Sequence, residues 1–475
     1  MKIKRVLWML MLLTVLTACD GTLFSPGEAP SNLKAYERLF DDTVEKSFTI
    51  EISKKEFDKL DQYMINHYER FGNYKTDDLV EAKMIYEDKQ GKIEVDNIAF
   101  RTRGNTSRNR LVNGEGELNP LSYKIFFDKA LYAEPGSPLA KSIRKREVFD
   151  MKELSFKFNK NWDSTHITEK FSYDLFREYG VYAPRMTHAK LYLKIEEDTH
   201  FLGLYSVLES IDKSFLKKRL PNEYQGNLYK VLWQNYGPAT LEYGYNSMAI
   251  GIKWPSANYF PSYDLKTNKD LEDHSELIKF IRQINSLEGA EFKSYLDQNF
   301  DVDRLIKLLA IGVLLGNPDD YRAMGNNYYL YYNPVNLKWT MMPYDYDHGM
   351  GQGWDGAPVF TNWSIGMDIY TWGDLSSVLQ GTPVSHVLTD KLFLNPVYQL
   401  KYELYLQDLI ESNRFSEEAY STKYELLKSL YEDDISQSMW PYYFSPRNVF
   451  TYIQDKRLDI LAQLDYYRNN PSERP

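Results

Sequence analysis

A chain of 475 residues with 15% aromatics, 39 of them tyrosine, can bury a sizeable core, and its length suggests two or three core units. The formal net charge of −10 argues against sequence-independent nucleic-acid binding, which needs a basic surface. A single cysteine excludes an intrachain disulfide, and seven scattered histidines without an HExxH pair argue against a zinc hydrolase.

In chain order, Lys2, Lys4 and Arg5 followed by the apolar run Val6 to Leu16 read as a secretion signal over residues 1–18. That run is too short for a spanning helix. Leu16-Thr17-Ala18-Cys19 resembles a bacterial lipobox. The resemblance implies that Cys19 becomes the lipid-modified N-terminus of an exported, membrane-anchored lipoprotein on the extracytoplasmic face. Loss of the three leading cations takes the net charge to −13. Residues 19–44 hold Gly, Pro, Ser and Asn and read as a tether. No later run is apolar enough to span a membrane.

From Phe48 to Ile52 the residues alternate as a strand. Ser53 then caps a helix. Strands follow at Val80–Tyr86 and Val95–Arg103. The turn Arg101-Thr102-Arg103-Gly104-Asn105-Thr106-Ser107-Arg108 places cations beside exposed N–H groups, a setting that can hold phosphate oxygens. An ordinary strand-end turn with solvated arginines is the commoner case. Strands at Ser122–Phe127 and Leu154–Phe158 each carry a lysine between apolar neighbours, Lys124 and Lys157. A lysine on a buried strand is costly unless paired, so either is a candidate for reaching phosphate. The bland alternative is a lysine on the outward face.

Asp163 to Tyr179 reads as a capped helix with Ile167, Phe171, Leu175 and Tyr179 every four residues and Gly180 at its end. A hairpin, Thr187–Ile195 and Phe201–Leu208, delivers Glu209 and Asp212. Glu209 is a candidate partner for one of the strand lysines, or merely the start of the helix Lys213–Arg219. After a strand at Gly226–Trp233, residues 234–268 are rich in Tyr, Gly, Asn, Pro and Ser and read as an irregular insertion or lid. Helices follow at Leu271–Asn285, Leu287–Leu296 and Val302–Leu315, then at Pro396–Ser412, Ser416–Tyr431 and Ser445–Tyr467.

Between these helical blocks lies Asn317 to Gly353. Asp319 and Asp320 follow a helix-breaking Asn317-Pro318. Asn326 and Asn327 precede a hairpin, Tyr328–Tyr332 and Lys338–Met342, that leads to Asp345, Asp347 and His348 among glycines. The hairpin brings the two acidic groups toward one another. Carboxylate and amide oxygens in such a setting suit Mg²⁺ or Mn²⁺ better than zinc. An Asp, then an Asn, then a second Asp on a later hairpin is also the order that phosphoryl transfer uses. No HRD or DFG triplet and no GxGxxG loop is present.

RGNTSR, SYKIFF, DSTHITEK, GLYSVLESID, GNLYK and finally NPDD, NNYYLYY and KWTMMPYDYDHGMG resemble the CotH family of spore-coat-protein-H-like atypical kinases, over roughly residues 45 to 465. The family commonly has Pro-Trp-Asp-x-Asp where this chain has Tyr344. The resemblance implies an α+β, diverged kinase-like fold over residues 45–470. A strand-rich N-terminal lobe would span about 45–233, the insertion 234–268 and a helical C-terminal lobe 269–470. It implies ATP, a divalent metal and γ-phosphate transfer to Ser or Thr of a surface or coat protein. Asp320, or alternatively Asp319, would be the catalytic aspartate. Asn326 or Asn327, Asp345 and Asp347 would be metal ligands. Lys124 or Lys157 would meet the phosphates, with Glu209 as partner, and Arg103, Gly104 and Asn105 would lie near the nucleotide. Two other classes fit the residues. One is a non-catalytic surface protein that binds through its aromatic segments. The other is a metal-dependent phosphoester hydrolase.

Overall fold

The computed structural model describes residues 31–161, 163–354, 356–371, 373–439 and 447–475. The signal, Cys19, the tether up to residue 30 and Ser445 lie outside the described residues. Seven strands, β1 (Lys46–Ile52), β2 (Val80–Asp88), β3 (Gly91–Arg103), β4 (Ser122–Phe126), β5 (Glu153–Lys157), β6 (Met186–Ile195) and β7 (Asp198–Glu209), close a barrel. Its order is β1-β2-β3-β4-β5-β7-β6, and the parallel pairing of β1 with β6 closes it. The alternation of β1 turns Phe48, Ile50 and Ile52 inward, where Phe48 meets Tyr86 and Phe156 at ring distances of 5.0 and 4.9 Å. Closure leaves no unpaired edge.

Around the barrel strands lie α1 (Ser31–Leu39), α2 (Lys54–Phe71), α3 (Pro138–Arg144) and α4 (Thr168–Glu178). Ser53 caps α2 as its sequence promises, accepting from Glu56 N–H. The expected helix from Asp163 begins one turn later, at Thr168. Asp163 accepts from Thr165 N–H at 2.9 Å and Thr168 N–H at 2.8 Å, which holds the residues between as a loop, with His166 at φ 61°.

Next come α5 (Lys213–Arg219), β8 (Leu228–Val231), β9 (Ile250–Gly251), β10 (Tyr263–Leu265), α6 (Ser275–Ser286), α7 (Gly289–Asn299), α8 (Val302–Leu315), α9 (Tyr321–Met324), β11 (Tyr328–Asn333) and β12 (Lys338–Pro343). Then α10 (Leu375–Gln380), α11 (Val387–Leu392), α12 (Pro396–Glu411), α13 (Glu417–Ile435) and α14 (Arg447–Asn469) complete the α-helices of the described residues. A second sheet runs β12-β11-β8-β10-β9. Two expectations differ here. The strand placed at Gly226–Trp233 joins this second sheet rather than the first strand-rich unit, because β8 pairs with β11 and β10. The insertion is not a free lid either, since it supplies β9 and β10 to the same sheet.

Two large cores result. One fills the barrel from Tyr36 to Val207. The other gathers α4 and almost everything after β7 around α8, a helix apolar on every face from Leu308 to Leu315 and therefore central. Each such Leu or Ile contributes about 2 kcal/mol of burial. Helix α4 lies between barrel strands in sequence, yet its Phe171, Tyr173 and Phe176 belong to the second core. It thus links the two.

Candidate active site

Strand β5 ends at Lys157. Its neighbour β7 sets Ser206 opposite Lys157 and Glu209 opposite Leu154. Three residues separate Leu154 from Lys157, an odd offset, so Glu209 and Lys157 face opposite sides of the strand pair. Glu209 is therefore not the partner of either strand lysine: its carboxylate accepts from Arg219 at 2.7 Å and lies 3.5 Å from Lys218. Lys124 ends on Glu153 of the adjacent strand at 2.5 Å.

Lys157 finds its partner on α4. Its Nζ donates to Glu169 Oε2 at 2.7 Å and Asp345 Oδ1 at 2.5 Å, and stands 2.8 Å from Asp347 Oδ2. One turn after Glu169, the Tyr173 hydroxyl donates to Glu169 Oε1 at 3.1 Å and accepts the Asp345 N–H at 2.8 Å. That bond anchors Asp345 at φ 60°, a left-handed conformation that Asp tolerates better than most residues. Glu169 and Tyr173 were not singled out from the sequence, although both lie in the capped-helix segment. A first-turn glutamate reads most simply as a helix-dipole residue.

The hairpin supplies the rest. Tyr328 pairs with Pro343, and Tyr344 N–H donates to Asn327 O at 3.2 Å, so the Asp319 turn and the Asp345 loop leave the same end of the hairpin. Asp319 accepts from Asn326 Nδ2 at 2.6 Å and Asn327 Nδ2 at 2.8 Å. Asp320 points elsewhere. It caps α9 through Ala323 N–H at 2.9 Å and accepts from the Tyr346 hydroxyl at 3.1 Å. Of the adjacent aspartates, then, Asp319 faces the acidic cluster and Asp320 is built into a helix cap. Asn326 accepts the Trp233 N–H on its carbonyl oxygen at 2.6 Å. His348 Nδ1 lies 2.9 Å from Gly353 O, a loop contact.

Charge is finely divided here. Burial, with the Asp345 and Asp347 charges adding to it, pushes Asp319 up to about 7. Burial likewise raises Glu169 to about 7, with Lys157 opposing. At Asp345 burial also acts upward, but Lys157, Arg103 and Lys230 outweigh it and hold the carboxyl below the usual range. Burial would lower Lys157, yet its three carboxylates hold it well above its ordinary value.

The turn after β3 reaches the same place. Arg103 Nη2 donates to the Tyr344 hydroxyl at 2.9 Å, and Lys230, another residue not singled out, donates to it at 3.1 Å. Gly104 sits at φ 131°, and a Cβ there would meet Ser107 Oγ at 2.4 Å. Asn105 accepts from Gln234 at 3.4 Å. Arg101 and Arg108 turn away to Asp77, at 3.2 and 3.6 Å.

Ligand atoms of Glu169, Asp345 and Asp347 lie within 4.8 Å of one another. An all-oxygen donor set of this kind fits a hard divalent cation. A cavity of about 30 Å³ adjoins it, lined by Lys157, Asn159, Glu169 and Asp347 among others. A larger cavity of about 730 Å³ lies at Lys46, Glu87 and Lys190 and includes none of these site residues.

Comparison with known proteins bears on this geometry. The model of the CotH kinase protein family matches residues 100–459. Inner spore coat protein H of Bacillus subtilis (strain 168) is 26% identical over 190 residues, 40% of this chain. The match spans 48% of that relative, about half its length. The crystal structure of the Helicobacter pylori proinflammatory kinase CtkA aligns over 67% of this chain and 92% of its own, at 10% identity and a TM-score of 0.30, a likeness too slight to inform the site. With all the residues from Arg103 to Asp347 that build the acidic centre falling inside the matched span, this chain belongs to the CotH kinase family.

Proposed function

We propose that the protein is an atypical protein kinase that transfers the ATP γ-phosphate to a Ser or Thr hydroxyl. The observation that carries this is the convergence of Lys157, Glu169, Asp345, Asp347 and Asp319 from three separate parts of the chain. In this reading the barrel and the second core are the two lobes of a kinase-like fold, and the site lies where they meet.

Asp345 and Asp347, with Glu169 beside them, would hold Mg²⁺ or Mn²⁺, which offsets phosphate charge when bound. Lys157, braced by Glu169, lies where it can meet phosphate oxygens. Asp319 accepts the proton of the acceptor hydroxyl, whose oxygen bonds to the γ-phosphorus. The bond from that phosphorus to the β,γ-bridging oxygen breaks, and its electron pair leaves with ADP. A base that titrates near 7 is matched to neutral conditions. The two asparagines orient Asp319, so most of the catalysis is positioning. We further propose that Cys19 carries a lipid anchor and that the acceptor is a surface or coat protein.

The test is incorporation of labelled phosphate from ATP with Mg²⁺ or Mn²⁺, into the protein itself and into a Ser-rich acceptor. Asp319→Asn and Asp345→Ala should each lower incorporation about 100-fold or more. Full transfer by both variants would remove the assignment. ATP hydrolysis without any acceptor would favour the hydrolase class, and absence of nucleotide binding the non-catalytic one.

A further inference from the structure

The acidic centre has a charge problem of its own. Among the described residues, Lys157 is the ammonium within 4.0 Å of Glu169, Asp345 and Asp347. A triphosphate brought there meets net negative charge, even with a divalent cation offsetting part of it. Lys157 is shared among three carboxylates, so the phosphate oxygens call for further cations beside it.

Two are in place. Arg103 ends β3 in the barrel, and Lys230 lies on β8 of the second sheet, so they come from different cores. They converge on one oxygen, the Tyr344 hydroxyl, at 2.9 and 3.1 Å. Lys230 also stands 4.2 Å from the centre of the Tyr344 ring. Tyr344 precedes Asp345, and both cations act on the Asp345 carboxyl. Among the described residues, neither Arg103 nor Lys230 has a carboxylate within 4.0 Å, whereas Arg101, Lys124 and Lys157 all do. Partly buried cations are costly when unpaired, and a phenol is a weak acceptor for two of them. An anionic oxygen is the acceptor that such a pair lacks, through charge-assisted hydrogen bonds.

We propose that Arg103 and Lys230 form a seat for the terminal phosphate oxygens of the phosphoryl donor, with the Tyr344 hydroxyl holding the two cations together until phosphate arrives. This rests on the kinase reading and adds two binding residues from opposite sides of the site. The seat also explains why residues on two cores are brought together at this point: a phosphate bound there bridges them.

The experiment measures binding of inorganic tripolyphosphate and of ATP to the full chain, with Mg²⁺, alongside the thermal midpoint. Lys230→Gln should weaken both ligands about tenfold, and Lys230→Arg should recover most of that loss. Tyr344→Phe keeps both cations and removes only their shared acceptor, so its tripolyphosphate affinity should equal or exceed that of the wild type. A mere latch between the cores behaves otherwise. In that case Lys230→Gln and Tyr344→Phe would lower the midpoint alike and leave tripolyphosphate affinity unchanged, which overturns the seat. Wild-type affinity for ATP in Lys230→Gln would overturn the seat while leaving the kinase reading standing. Failure of the wild type to bind either ligand would overturn both.

Discussion

Two neighbouring aspartates do different work. Asp319 is held by two amide donors beside the acidic centre, and Asp320 is spent on the α9 cap and Tyr346. Asp320→Ala should therefore destabilise the fold by about 1–2 kcal/mol, the range of a lost cap contact, and keep most phosphotransfer at temperatures where it is folded. Asp319→Asn should do the reverse. A denaturant titration run beside a transfer assay separates the two. The pH dependence follows from burial, which raises Asp319 to about 7. Transfer that uses it as a base should rise with pH through about 7 and level off above. Its effect on stability has the opposite sign. The folded state binds this proton more tightly than the unfolded chain, so the contribution is full below about 4 and is lost as pH rises through about 7. Asp319→Asn should flatten that part of a midpoint-versus-pH curve.

At the scale of elements, α4 and the β11–β12 hairpin meet through Tyr173. Its hydroxyl ties Glu169 to the Asp345 backbone across 172 residues of sequence separation. Tyr173→Phe leaves the Asp345 N–H and a Glu169 oxygen without that partner, at a cost of about 1–3 kcal/mol. It should lower kcat more than it raises the KM for ATP, because it loosens the residue that orients the centre rather than the phosphate contacts. Steady-state kinetics on Tyr173→Phe beside Lys230→Gln would display the contrast. The turn after β3 has its own constraint. Gly104→Ala at φ 131° with Ser107 Oγ in its way should cost about 1–3 kcal/mol, read as a lower denaturation midpoint.

For the whole molecule, a ligand that spans the barrel and the second core should stabilise them as one unit. ATP with Mg²⁺ at about 100 times its dissociation constant adds about 2.7 kcal/mol, which raises the thermal midpoint. Asp345→Ala should abolish that shift. An unchanged midpoint in saturating ligand would mean that nothing binds between the cores.

Much of the chain was legible as local pattern. The alternation of β1, the Ser53 cap, the helix Val302–Leu315 and the hairpin before Asp345 follow from side-chain period, capping chemistry and turn residues, all of which act within a few positions. The cost of a strand lysine likewise announced that Lys157 needs a partner. Which partner was settled by the tertiary structure. Strand register turned Glu209 toward Arg219, and the docking of α4 brought Glu169 instead. Assignment of β8, β9 and β10 to the second sheet, the different facing of Asp319 and Asp320 and the meeting of Arg103 with Lys230 were settled in the same way. The physical reason is range: a period or a cap is fixed by neighbours along the chain, whereas a buried charge is satisfied by whichever face packing presents to it.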